Sequence, residues 1–236
     1  PPAVNTTNCT TARLILNSKN NNLTDSIKKH PAIVAKYLQN RTNNYLSLMN
    51  YLAHALLSNN NHDLLVGNFI ADHLRGNDFS AYTEKIVEGI YLHRKIDTFT
   101  DSHPLFKSSK RIFYNGFEKY SGILVDIYFD HLLAKNFKKY HHGSLENFYA
   151  NVYEVYKQHL HFMPASSSRF LDYVIKNNIY HTYSKIEGIE QVLFHLSRRI
   201  KHNSSLDKSV YLFLSNESLL QTYFDEFIQD IIKHTS

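Results

Sequence analysis

A chain of 236 residues, 43% of them hydrophobic, can bury one large core, and no linker divides its patterned part. With only 7 Gly and 5 Pro, and with apolar residues mostly three or four apart, sandwiches and doubly wound sheets are excluded and an all-α class is predicted. The formal charge of +5 without clustered Lys/Arg runs points to an acidic partner and away from nucleic acid, while the single cysteine, Cys9, rules out an internal disulfide and any multi-cysteine metal cluster.

In chain order, residues 1–48 come first and differ from the rest. "PPAVNTTNCTTARLILNSKNNNLTD" is rich in Asn and Thr and weakly periodic, and Pro31 interrupts the one marginal helix, at 26–38. No basic end followed by an apolar stretch marks a signal peptide, and no apolar run approaches the roughly 20 residues of a membrane span. A cytoplasmic protein is expected, with residues 1–48 a weakly structured extension and Met49 the natural start of the working domain, 49–236.

From Met49 the pattern predicts helices at about 49–58, 63–75, 82–100, 105–116, 119–138, 145–160, 166–178, 185–201 and 216–233. Stop signals are readable at Gly76-Asn77, at Pro104 and at His142-Gly143-Ser144, with Ser144 as the N-cap of the helix that follows.

Several of these helices carry an acid or an imidazole in an apolar setting. In "GIYLHRKIDTFTDSHP", His93, Asp97 and Asp101 are four apart and form a stripe on one face, beside Ile90, Ile96 and Phe99. "SGILVDIYFDHLLAKNF" places Asp126 and Asp130 at the same spacing, then His131, among eight large apolar residues. "NYLAHALLS" holds His54, and "LLVGNFIADHLRG" puts Asn68, Asp72 and Arg75 on one face, with Gly67 allowing close helix approach. Carboxylates in such surroundings must be paired, hydrogen-bonded or metal-bound if buried. Imidazole with carboxylate and no thiolate suits Mn²⁺, Fe or Mg²⁺ and is tolerated by Zn²⁺, and such ions polarise phosphoryl oxygen and lower the pKa of water. Plainer explanations are a hydrogen-bonded core histidine at 54, a solvated face at 93/97/101, and ion pairs of Asp126 and Asp130 with Arg94 or Arg111.

The segments "MNYLAHALLS", "GNFIADHLRGN", "VEGIYLHRKIDTFTDSHP", "LVDIYFDHLLAKNF" and "LSRRI", taken together and in this order over residues 49–200, resemble the acyl carrier protein phosphodiesterases, or holo-acyl-carrier-protein hydrolases. The resemblance implies a helical domain related to the HD-type metal phosphohydrolases, with Mn²⁺ dependence. It also implies hydrolysis of the phosphodiester that joins 4'-phosphopantetheine to a serine of holo-acyl carrier protein. Carried onto this chain, the motif residues are His54, Asp72, His93, Asp97, Asp130 and His131, followed by Asp126 and Asp101. The Asp-His order at 130–131 reverses the usual doublet of the larger superfamily. The resulting expectation is one or two Mn²⁺ held among His54, Asp72, His93, Asp97, Asp126 and Asp130. Asp130 and His131 are then catalytic, and Arg75 or Arg94 steadies developing charge. Acyl carrier protein is acidic, which suits the basic balance. Two other readings use the same pattern: a helical metal phosphohydrolase acting on nucleotides or other small phosphodiesters, and a helical binding module without catalysis.

Overall fold

The computed structural model describes residues 50–58, 60–200 and 204–236, and every regular element among them is helical. The expectations for residues 1–48 lie outside the described residues. The helices are α1 (Tyr51–Leu57), α2 (His62–Ile70), α3 (Glu84–Ser102), α4 (Pro104–Ile112), α5 (Tyr114–Phe117), α6 (Ser121–Lys135), α7 (Leu145–Gln158), α8 (Ala165–Lys176), α9 (Ile179–Thr182), α10 (Ile186–Arg199), α11 (Ser209–Ser215) and α12 (Glu217–Thr235). None of them is long and apolar enough to cross a membrane.

The centre of the fold is α6, whose Leu124, Val125, Ile127, Tyr128, Leu132 and Leu133 are all completely buried. A helix apolar on every side must be surrounded, and α1, α4, α10 and α12 pack around this one. Tyr128 is sandwiched between Phe113 and Phe213, with ring centroids 5.2 and 4.4 Å away, and its hydroxyl meets Ser209 Oγ at 2.7 Å. The buried phenol oxygen is thereby satisfied.

The second organising contact joins α2 to α3 through two glycines. A Cβ on Gly67 would stand 2.0 Å from the Ile86 carbonyl oxygen, and one on Gly89 would stand 2.4 Å from the Leu64 oxygen. Only hydrogen at both positions lets the backbones approach this closely. The start of α3 is fixed by Thr83, whose hydroxyl accepts from Ile86 N at 3.3 Å, and its end by Pro104. Ser144 caps α7 through Asn147 N at 3.2 Å, as its sequence position predicts.

Some boundaries differ from those read in the sequence. The helix expected over 63–75 stops at Ile70, tightens into a 3₁₀ turn at Ala71–His73 and is extended at Leu74. The segment expected to be helical to 116 breaks after Ile112, where Asn115 is extended and Gly116 has φ 88°. The helix α11 was not predicted, because "SVYLFLS" is a short, nearly continuous apolar run without helical spacing.

Candidate metal centre

The first turn of α1 has backbone N–H groups that no residue of its own helix can accept. Asp130 accepts two of them from α6, with Leu52 N 2.9 Å from Oδ2 and Ala53 N 3.0 Å from Oδ1. A carboxylate at a helix N-terminus also suits the helix dipole. This clamp sets α1 in place and with it His54, the next residue after Ala53, which is buried. Asp130 is itself almost fully buried, and that desolvation raises its pKa to about 7 against the lowering effect of the two N–H bonds.

The close approach of α2 and α3 brings Asp72, from the 3₁₀ turn, against His93 and Asp97. His93 Nε2 lies 3.0 Å from Asp72 Oδ1 and 3.2 Å from Asp97 Oδ2. His54 Nε2, from α1, lies 3.3 Å from Asp97 Oδ1 and, among the described residues, makes no well-formed hydrogen bond. Beneath the two imidazoles, Asn68 is buried, with its Oδ1 2.7 Å from His54 Nδ1 and 3.1 Å from His93 Nδ1. Tyr51 donates its hydroxyl to Asp72 Oδ2 at 3.4 Å.

The electrostatics follow from this crowding. Burial disfavours a charged His93, but the hydrogen bonds and charges of Asp72 and Asp97 outweigh it and push its pKa up to about 10. Burial likewise opposes ionisation of both acids, yet the imidazoles beside them hold Asp97 far below the usual carboxylate range and Asp72 below it. Asp72, His93 and Asp97 each offer one donor atom, and these atoms lie within 4.8 Å of one another. Two carboxylate oxygens and an imidazole nitrogen form a set that could hold a divalent ion, and the buried Nε2 of His54, 3.3 Å from Asp97, borders it.

The other residues singled out in the sequence lie apart from this trio. Asp126 accepts a 3.4 Å bond from Asn50 Nδ2, and burial first, then the charges of Asp97, Asp101 and Asp130, raises its pKa strongly. Asp101 is exposed on α3. His131 is buried with Nδ1 donating to the Tyr183 carbonyl at 2.7 Å, and burial lowers its pKa. Arg94 follows His93, but its guanidinium reaches Asn77 Oδ1 at 3.1 Å and lies over Phe79. Arg75 is exposed in the turn after Leu74. In the sequence Asn68 shares a face with Asp72 and carries no evident role. Its signal was a carboxamide inside "LLVGNFIA", where a buried amide must find partners.

Fold and site together define an all-α protein with a carboxylate–imidazole cluster where three helices meet, of the kind that can hold a metal ion. The sequence model for acyl carrier protein phosphodiesterase matches residues 49–231, so the chain belongs to that family. It is 32% identical over 162 residues to the acyl carrier protein phosphodiesterase of Photorhabdus laumondii, covering 68% of this chain and 82% of the relative. The Yersinia pestis and Escherichia coli proteins of the same name are each 28% identical, covering 78% and 80% of this chain and 96% and 98% of their own. No solved structure matches the chain.

Proposed function

We propose that this chain hydrolyses the phosphodiester between 4'-phosphopantetheine and the serine of holo-acyl carrier protein, giving apo-protein and 4'-phosphopantetheine. The observation that carries the reading is the convergence of Asp72, His93 and Asp97 in a chain of this family. These three would hold the ion, with His54 beside them, and Mn²⁺ is the ion proposed. When bound, it would supply the Lewis acidity that polarises a phosphoryl oxygen and activates water.

The chain's own groups prepare the rest. Asp130 holds α1, and so His54, by its two backbone bonds. Asp126 is held toward its neutral form by burial and by the charges of Asp97, Asp101 and Asp130, and would gain negative charge only with a cation close by. Arg75 is the exposed cation nearest in sequence to Asp72, and we assign it to the phosphoryl oxygens; Arg94 could join only by giving up Asn77. His131 is assigned to support of the α6 surroundings through Tyr183. The activity is placed in residues 49–236 and in the cytoplasm, where one cysteine and a +5 charge suit a reducing compartment and an acidic protein substrate.

The test is incubation of the purified chain with holo-acyl carrier protein and Mn²⁺, followed by mass spectrometry of the carrier. Loss of the phosphopantetheine mass is expected. An unchanged carrier alongside hydrolysis of small phosphodiesters would replace this reading with a general phosphodiesterase.

A further inference from the structure

The carboxamide of Asn68 has only one orientation compatible with its neighbours. One end faces the His54 carbonyl oxygen at 3.1 Å and Ser58 Oγ at 3.1 Å. A carbonyl can only accept, and Ser58 already donates its own hydroxyl proton to that carbonyl at 2.9 Å, so this end must be the NH₂ group. The other end is therefore the oxygen, and it faces Nδ1 of both His54 and His93. An amide oxygen can only accept, so each Nδ1 must carry a proton.

We infer that Asn68 is a positioning residue that locks both imidazoles with a proton on Nδ1, so that Nε2 is the nitrogen each turns to the acids and the one whose lone pair a metal ion would take, displacing from His93 the proton shared with Asp72 and Asp97. The inference rests on the metal-centre reading above. His93 Nε2 is the atom between Asp72 and Asp97, and His54 Nε2 is the atom beside Asp97. Without the lock either ring could shift its proton to Nε2 or turn over, and the donor atom would be lost. Outer hydrogen bonds of this kind hold a histidine in its ligating tautomer and orientation.

The test uses the full chain, with Mn²⁺ binding measured by titration calorimetry and folding by circular dichroism, and no carrier protein present. Asn68→Leu removes the shared acceptor, whereas Asn68→Asp keeps an oxygen for both rings while it loses the two donated bonds and adds a buried negative charge. Asn68→Leu should weaken Mn²⁺ binding about 10–100-fold while Asn68→Asp stays close to the wild-type value. A merely structural role would destabilise both variants and leave the affinity of the folded protein unmoved. Wild-type affinity in Asn68→Leu, or an equal loss in both variants, overturns the inference. If Asn68→Leu does not fold, Asn68→Asp decides alone: a loss beyond tenfold overturns the role, and a retained affinity supports it. A wild-type chain that binds no Mn²⁺ overturns the metal centre and the lock together, whereas an uncleaved carrier protein affects only the proposed reaction.

Discussion

At His93 a proton and a divalent cation compete for one nitrogen. The proton is held with a pKa near 10, so at lower pH binding of a metal must displace it, and each unit of pH below that value weakens apparent affinity by up to about tenfold. Mn²⁺ affinity should therefore climb from pH 6 to pH 9, as read by titrations across that range; a flat profile would place the ion elsewhere. His93→Ala and Asp72→Asn should each reduce turnover by at least about two orders of magnitude with the circular dichroism of the wild type, because a preorganised electrophile is lost. Residues of this centre were partly legible in the sequence. The spacing of four put His93 and Asp97 on one face, but it gave Asp101 the same standing, and Asp101 lies one turn further along, in solvent. Which members of a stripe meet a partner is decided by the neighbouring helix, here by the turn that carries Asp72. Asp130 stands out in the sequence as a candidate ligand and catalytic residue, but its capping of α1 was hidden for a related reason: the contact joins positions 77 and 78 apart and leaves no local mark.

Two elements, α1 and the α2–α3 pair, set the centre's dimensions, and each can be tested through the residue that holds it. Gly67→Ala places a methyl 2.0 Å from a backbone oxygen that cannot swing away, so a destabilisation of about 1–3 kcal/mol or more is expected in urea unfolding. A neutral result would mean that the helices stand further apart than described. For α1 the relevant group is Asp130, whose folded pKa of about 7 lies above its ordinary 3.8. A carboxyl shifted upward contributes stability that is complete below about pH 4 and is lost as pH rises through 7. Asp130→Asn does not titrate. Its stability relative to wild type should improve between pH 4 and 7, by an amount on the order of a few kcal/mol, and then stay level. Parallel pH curves for the two proteins would contradict a buried Asp130. The element order was largely readable because apolar spacing survives in most long helices, and α6 stands out instead as a long apolar run. The 3₁₀ turn at Ala71–His73 was not, since "ADH" continues the helical pattern while Gly76 at φ 76° lets the chain leave it.

Over the whole molecule the +5 charge acts at longer range than any contact in the centre. Exposed charges are screened over about 8–10 Å near physiological ionic strength. For an acidic carrier protein, rising salt should raise KM steeply and leave kcat nearly constant, whereas a small phosphodiester should show little change in either. Coinciding salt responses, with the small diester cleaved as well as the carrier, would remove the carrier protein from the assignment. The glycine crossing bears on the molecule as a mechanism in the engineer's sense. Asp72 follows Gly67 by five positions, and His93 and Asp97 follow Gly89 by four and eight. At about 1.5 Å per residue the load sits roughly 6–12 Å from the fulcrum, so a 5° swing of one helix against the other shifts the donors by only about 0.5–1 Å. Short lever arms give little amplification: bending elsewhere in the bundle reaches the donors without gain, and their spacing is as steady as the contact between two Cα atoms.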